Sequence, residues 1–231
     1  MTAIFRVAFS GDFCKADGSP VYSDFDLAPL RQAPGVEMAF LEPLQEIRPE
    51  QIKDFDALIL LGARFGRQSI HSNGRLGVVA RFGVGYDNVD VEACTEAGIA
   101  LVITPDGVRR PVAVAIITLM LALMGKLMVK DRLTREGPEG FARRSQHMGL
   151  GLVGRTLGSI GVGNIGAELF RLAKPFDMRF IAHDPFVDAR FVAELGVELV
   201  GLDDVFRRAD VVSVSCPLSP ATRGCIHLGS G

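Results

Sequence analysis

The sequence predicts an α/β protein of two successive units, each built on a parallel β-sheet. Three observations carry this. Short runs rich in Val, Ile and Leu recur without polar alternation, as in strands covered on both faces. Helical stretches separate those runs, and strand–helix–strand order within one sheet implies right-handed crossovers and parallel strands. The rhythm also starts twice, once near residue 3 and again after a long helical stretch at about 112–135. Length agrees: 231 residues, 48% of them hydrophobic, suffice for one large domain or two ordinary ones.

In the first half the expected strands are AIFRVAF (3–9), VEMAFL (36–41), DALILLG (56–62), LGVVARFG (76–83) and GIALVIT (98–104). Pro34-Gly35 makes a turn into the second. Asp90 is placed to cap a helix over VEACTEA (91–97), and Gly98 to stop it. After the long helix comes a Gly/Arg-rich connection, EGPEGFARRSQHMG. The second half then runs as strand TLGSIGV (156–162), helix NIGAELFRLAK (164–174), strand MRFIAHD (178–184), helix ARFVAELG, strand VELV (197–200), helix LDDVFRRA (202–209) and strand DVVSVSC (210–216).

Composition excludes several function classes. The 25 basic residues are scattered among 27 acidic ones for a net charge of −2, so no stripe exists to neutralise a phosphate backbone, and no nucleic-acid partner is expected. Cys14, Cys94, Cys216 and Cys225 form no C-x-x-C pair, and the four histidines form no H-x-x-x-H set. No metal site is expected, and the thiols suit a reducing, cytoplasmic setting. The start, MTAIFRVAFSGDF, lacks a secretory apolar core. VAVAIITLMLALMGKLMV (112–129) is apolar apart from Thr118 and Lys126, yet short for a bilayer, and Lys126 would lie within the hydrocarbon. A buried or interface helix is expected there rather than a membrane span.

The chemistry-bearing stretch is LGSIGVGNIGAELF (157–170). Its glycines follow the G-x-G-x-x-G spacing between a strand and a helix. Gly161 makes the turn, Gly163 lets the backbone approach a pyrophosphate, and Gly166 lets the helix pack on the strand. The helix N-terminus near Asn164 offers free N–H groups and a positive dipole end. Asp184 closes the next strand about 20 residues on, where a carboxylate holds ribose hydroxyls and repels the 2′-phosphate of NADP. Strand, loop, helix, strand and acid in this order indicate NAD. A plain turn at Asp184-Pro185 is the bland alternative. His183, at the strand end, is at most a wall of that site.

Four stretches resemble the D-isomer-specific 2-hydroxyacid dehydrogenase family, which includes phosphoglycerate dehydrogenase and the glyoxylate/hydroxypyruvate reductases: VARFGVGYDNVDVEACTEAGIALVITPDG (79–107), RPVAVAIITLMLAL (110–123), GRTLGSIGVGNIGAELFRLAKPFDMRFIAHDP (154–185) and ADVVSVSCPLSPATRG (209–224). The resemblance implies a flavodoxin-like substrate domain over 1–108 and a Rossmann NAD-binding domain over 109–231. It also implies a homodimer and hydride transfer between NAD(H) and a small 2-hydroxy or 2-oxo acid. It explains why the glycine loop comes late: a substrate domain precedes it. By position it assigns Val84 and Gly85 to a loop whose amides meet the substrate carboxylate and nicotinamide, chemistry that a glycine-bracketed nest suits. It assigns Asn164 and Ile165 to the pyrophosphate, Asp184 to the ribose, and Cys216 and Pro217 to the adenine side. Arg64 falls where several members place a substrate-contacting residue, although an exposed loop arginine is often merely solvated. One departure is that the family's V-A-E stands here as Val114-Ala115-Ile116.

The family's catalytic arginine, glutamate and histidine all follow the PLSPATRG segment. His227 does not match the family histidine, so no catalytic residue is assigned. The Rossmann domain is expected to be incomplete at its C-terminal end, and this chain is expected not to turn over 2-oxo acids. Two function classes stay open: an oxidoreductase represented by a truncated chain, or a non-catalytic NAD-binding dimer, as in the family's corepressor branch, or inactive fragment. A methyltransferase with a similar glycine loop is disfavoured by FGVGYDNVD.

Overall fold

The computed structural model describes residues 4–22 and 24–226; His227 lies outside them. The chain divides into two compact units, Met1–Pro105 and Asp106–Gly231.

In the first unit, β1 (Phe5–Phe9), β2 (Val36–Phe40), β3 (Ala57–Leu60), β4 (Val78–Arg81) and β5 (Ala100–Val102) form one sheet. The order is β2-β1-β3-β4-β5 and every pairing is parallel. This is the flavodoxin-like order, whose loops gather at the C-terminal ends of the strands. Helices α1 (Ala28–Arg31), α2 (Pro49–Ile52) and α3 (Val91–Glu96) are short. Asp90 caps α3 by accepting the Ala93 N–H at 2.9 Å, and Gly98 follows it with φ +69°. The sheet buries both faces. Ala8, Leu58, Leu60 and Val79 pack with Ile47, Ile52 and Phe65 on one side, and Val7, Phe9 and Phe13 on the other.

The second unit begins with α4 (Pro105–Met124), α5 (Leu127–Arg135) and α6 (Pro138–Ala142). Its sheet is β6 (Thr156–Ile160), β7 (Arg179–His183), β8 (Val197–Leu199) and β9 (Val211–Val214), with α7 (Asn164–Ala173), α8 (Ala189–Glu194) and α9 (Leu202–Arg208) between strands. The order β8-β7-β6-β9, all parallel, is the 3-2-1-4 portion of a dinucleotide-binding sheet. β6 lies in the middle with all five residues buried, so the loop that leaves it is held from three sides.

Two expectations are corrected. The helical stretch at 112–135 is two helices, because the carbonyl of Met124 is taken by the N–H of Leu150 at 2.8 Å. A methyl on Gly149 would stand 2.8 Å from that same oxygen, so the returning chain blocks the helix end. Lys126 then takes a left-handed turn, φ +53°. The EGPEGFARRSQHMG connection contains α6 and a 3-10 turn, Arg144–His147. By length and composition α4 could cross a membrane. Ala113, Met120 and Met124 pack into the core of this unit, while Leu119, Leu123 and, on α5, Met128 are 63, 72 and 75% exposed.

Candidate cofactor site and substrate loop

The three glycines after β6 each meet a different constraint. Gly161 has φ +95°, and a methyl there would stand 2.8 Å from the Cys216 nitrogen. A methyl on Gly166 would stand 2.4 Å from the Gly161 carbonyl oxygen, so α7 crosses the turn in backbone contact. A methyl on Gly163 would meet nothing within 4 Å, which leaves the middle of the loop open to a ligand. The Ser159 hydroxyl donates to the Gly161 carbonyl at 2.7 Å and pins the turn from within β6. Among the described residues, the N–H groups of Gly163, Asn164 and Ile165 have no acceptor. Together with the dipole of a ten-residue helix they leave an electropositive backbone concavity that can receive an anion.

Asp184, half-buried just past β7, accepts the Val162 N–H on Oδ2 (2.8 Å) and the Phe186 N–H on Oδ1 (3.0 Å). It therefore braces the glycine loop, and each oxygen retains acceptor capacity for a hydroxyl. His183 is turned away from such a role, since its Nδ1 lies 3.2 Å from the Val200 carbonyl. Cys216 and the exposed Pro217 follow β9 and complete the rim opposite Gly161. Burial holds the Cys216 thiol above the ordinary thiol range, and the Cys225 thiol beside it adds to this. All the residues predicted for the nucleotide thus meet at the C-terminal ends of β6, β7 and β9.

Behind the loop, Glu168 on α7 accepts from Arg110 at 2.6 Å, with Arg171 at 3.5 Å, and its side chain is only 9% exposed. The Arg110 hydrogen bond holds its carboxyl below the usual range. This pair fastens α4 to α7 within the second unit.

In the first unit the predicted substrate residues sit on neighbouring loops at the C-terminal ends of β3 and β4. Gly83, φ +140°, turns the chain out of β4 and is fastened to Thr104: its N–H donates to Thr104 Oγ1 (3.0 Å), and its carbonyl accepts from the Thr104 N–H (2.9 Å) and hydroxyl (3.3 Å). Among the described residues, the N–H groups of Val84, Gly85 and Tyr86 have no acceptor. Phe82 supports the loop from behind by packing on Phe13, Phe25 and Tyr22 at centroid distances of 5.4, 5.2 and 5.6 Å. Asn88 ties the two loops together, donating from Nδ2 to the Ala63 carbonyl (2.7 Å) and accepting the Phe65 N–H (2.8 Å). Arg64 is exposed on the rim of a cleft of about 550 Å³ lined by Asp12, Leu44, Gln45 and Gly62. A cleft of about 610 Å³ opens at the opposite, N-terminal edge of the second sheet, away from the glycine loop, and its Arg208 and Glu198 neutralise each other.

Asp12 has a part that sequence reasoning missed. Its Oδ2 accepts the N–H groups of Gly62 and Ala63 at 2.7 and 2.9 Å, and Ser10 donates to Oδ1 at 2.5 Å. The amides that follow β3 are thereby filled by the chain's own carboxylate.

A parallel sheet with an open glycine loop, a helix N-terminus and an acid beyond the next strand defines a dinucleotide-binding α/β protein. The chain belongs to the D-isomer specific 2-hydroxyacid dehydrogenase family: residues 19–116 match its catalytic domain and residues 117–229 its NAD binding domain. The D-3-phosphoglycerate dehydrogenase of Methanocaldococcus jannaschii is 38% identical over 179 residues, covering 77% of this chain and 34% of that protein. The glyoxylate reductase of Korarchaeum cryptofilum is 36% identical over 182 residues, covering 78% of this chain and 55% of that one. The chain thus spans between a third and somewhat over half of these relatives. Among solved structures, a glyoxylate reductase from Paecilomyes thermophila superposes with a TM-score of 0.75 at 26% identity, covering 98% of this chain and 69% of its own. The apo D-lactate dehydrogenase of Escherichia coli gives 0.71 at 26% identity, covering 94% and 67%.

Proposed function

We propose that this chain forms the substrate-binding and NAD-binding parts of a dehydrogenase that moves a hydride between NAD(H) and a small 2-hydroxy or 2-oxo acid. The observation that carries the reading is a pair of unfilled amide seats, Val84–Tyr86 in the first unit and Gly163–Ile165 in the second. Backbone N–H groups held on rigid turns bind anions without reorganising. The first seat takes the substrate carboxylate, and Arg64, exposed on a neighbouring loop, offers a cationic contact. The second seat takes the pyrophosphate, with Asp184 on the adenosine ribose and Cys216 and Pro217 on the adenine side. When bound, NAD supplies or accepts the hydride at its nicotinamide ring. The chain's own residues hold the carboxylate, orient the acid and, through Asp184, disfavour a 2′-phosphate. Relatives named as phosphoglycerate dehydrogenase and glyoxylate reductase support the substrate class.

The reading includes a cytoplasmic homodimer. The exposed Leu119, Leu123 and Met128 on α4 and α5 support the second copy, and four free cysteines support the reducing compartment. Amide chemical shifts of the labelled protein test the two seats separately. NADH is expected to move Gly163, Asn164 and Ile165, and glyoxylate to move Val84, Gly85 and Tyr86. Shifts confined to other residues would overturn the assignment. Solution scattering that finds a monomer across the concentration range would remove the dimer.

A further inference from the structure

A cluster of aromatic rings runs through the C-terminal end of the first sheet and finishes beside the Val84–Tyr86 seat. Phe13 and Phe25 stack at a centroid distance of 5.3 Å with 10° between their planes, and Phe9 meets Phe13 edge-on at 5.6 Å. Phe82 joins them edge-on, and Tyr22 lies against Phe82 at 5.6 Å. Phe9 and Phe13 are buried, whereas Phe82 is 37% and Tyr22 40% exposed. Burial of an aromatic ring is among the larger gains open to a fold, yet at this end the cluster leaves two rings open.

Those open rings adjoin the amide seat. Phe82 immediately precedes Gly83, and the N–H groups of Val84, Gly85 and Tyr86 follow that turn. The Phe82 N–H donates to the Leu60 carbonyl at 2.8 Å and the Gly83 N–H to that of Arg81 at 2.9 Å, so ring and seat are held together at the end of β4. Two residues of chain span at most about 7 Å, a distance that a 2-hydroxy acid with a ring on C3 can bridge. Positive charge lies at the seat end. The Arg81 guanidinium donates to the Phe82 carbonyl and rests against Gly83, with Nη1 3.0 Å from where a methyl there would stand. A cation and open amides at one end and two aromatic rings at the other suit a ligand with an anionic head and an apolar tail.

We propose that Tyr22 and Phe82 hold the side chain of the substrate, so that this chain prefers 2-hydroxy and 2-oxo acids with an aryl group on C3 to lactate and to phosphorylated acids. The proposal rests on the carboxylate seat of the preceding section. Aromatic rings pair best offset or edge-on at about 4.5–7 Å, the spacing that these rings already keep with one another, so an aryl tail extends the cluster by one member. A phosphate in the same place would give up its hydration against apolar rings.

The test titrates the isotopically labelled chain with D-3-phenyllactate, D-lactate and D-3-phosphoglycerate. It reads the Val84–Tyr86 amides together with intermolecular Overhauser effects to the Tyr22 and Phe82 rings. Phenyllactate is expected to bind about tenfold more tightly than lactate, the worth of one added aromatic pair, with its ring protons in contact with both side chains. Phosphoglycerate should bind no more tightly than lactate. Tyr22→Ala should bring the ratio of phenyllactate to lactate affinity close to one, and Tyr22→Phe should restore it. The Overhauser contacts need no variant and decide the matter if Tyr22→Ala fails to fold. Seat shifts with both acids, but equal affinities and no ring contact, overturn the aromatic subsite and leave the carboxylate seat standing. Tighter binding of phosphoglycerate than of phenyllactate does the same. If neither lactate nor phenyllactate moves the seat amides, the substrate reading falls and this proposal falls with it.

Discussion

A methyl added at Gly166 has no room, whereas one added at Gly163 meets nothing. Gly166→Ala places its Cβ 2.4 Å from the Gly161 carbonyl oxygen and 3.3 Å from its carbon, atoms of a backbone itself wedged against Cys216. Overpacking of this kind costs about 1–3 kcal/mol, and a clash with fixed backbone belongs at about 3. Alanine at a helical position returns about 1 kcal/mol relative to glycine. The expected net loss is about 2 kcal/mol, a shift of about 1 M in a urea midpoint at a slope of about 2 kcal/mol/M. Gly163→Ala keeps an extended backbone, φ −67° and ψ −161°, that alanine adopts readily. Its stability should stay within about 0.5 kcal/mol of the parent, while NADH affinity falls about tenfold or more because the methyl stands where the phosphates approach. Urea unfolding monitored by hydrogen exchange across 156–173 isolates the second unit, and NADH titration reads the ligand. Equal midpoints for Gly166→Ala and the parent, or undiminished NADH binding by Gly163→Ala, would refute the division of labour among the glycines.

Asp184→Asn keeps an oxygen for the Val162 N–H but removes the charge, so competitive titration should show the preference for NADH over NADPH narrowing; an unchanged ratio would sever Asp184 from cofactor choice. The Arg110–Glu168 pair carries a pH dependence. Because the folded carboxyl lies below its ordinary value of 4.5, chiefly through the Arg110 hydrogen bond, the stabilisation is present above that value and lost as pH falls through the depressed folded pKa. Arg110→Gln should therefore be less stable than the parent at neutral pH, with the difference closing in acid. Denaturation curves in which the gap stays constant from neutral pH to below 4 would assign Arg110 a purely packing role.

Much of the site was legible because local spacing dictates it. Strand, three glycines and helix follow one another within 157–170, and turn geometry, close packing and an open approach are all properties of neighbours in the chain. The strands were legible from their apolar runs because both sheets are covered on both faces. What stayed hidden depends on distant partners. Asp12 fills amides 50 and 51 positions away, and no periodicity announces such a pairing. The long helix reads as continuous through Gly125 and Lys126, yet it stops because Leu150 reaches back for the Met124 carbonyl. Arg110 and Glu168 are 58 positions apart and become a pair only when α4 lies on α7.

The carboxylate of Asp12 changes what the first sheet can be used for. In an open sheet of this strand order the crevice beyond β1 and β3 is the natural place for a ligand, and exposed amides there would attract any passing phosphate. Here an internal anion permanently occupies that position, at the cost of one acidic side chain and a serine to steady it. Amides without an acceptor lie one strand further along, in the turn after β4. The unit thus closes the seat its topology would favour and leaves the neighbouring one open, a selectivity by prior occupation rather than by shape.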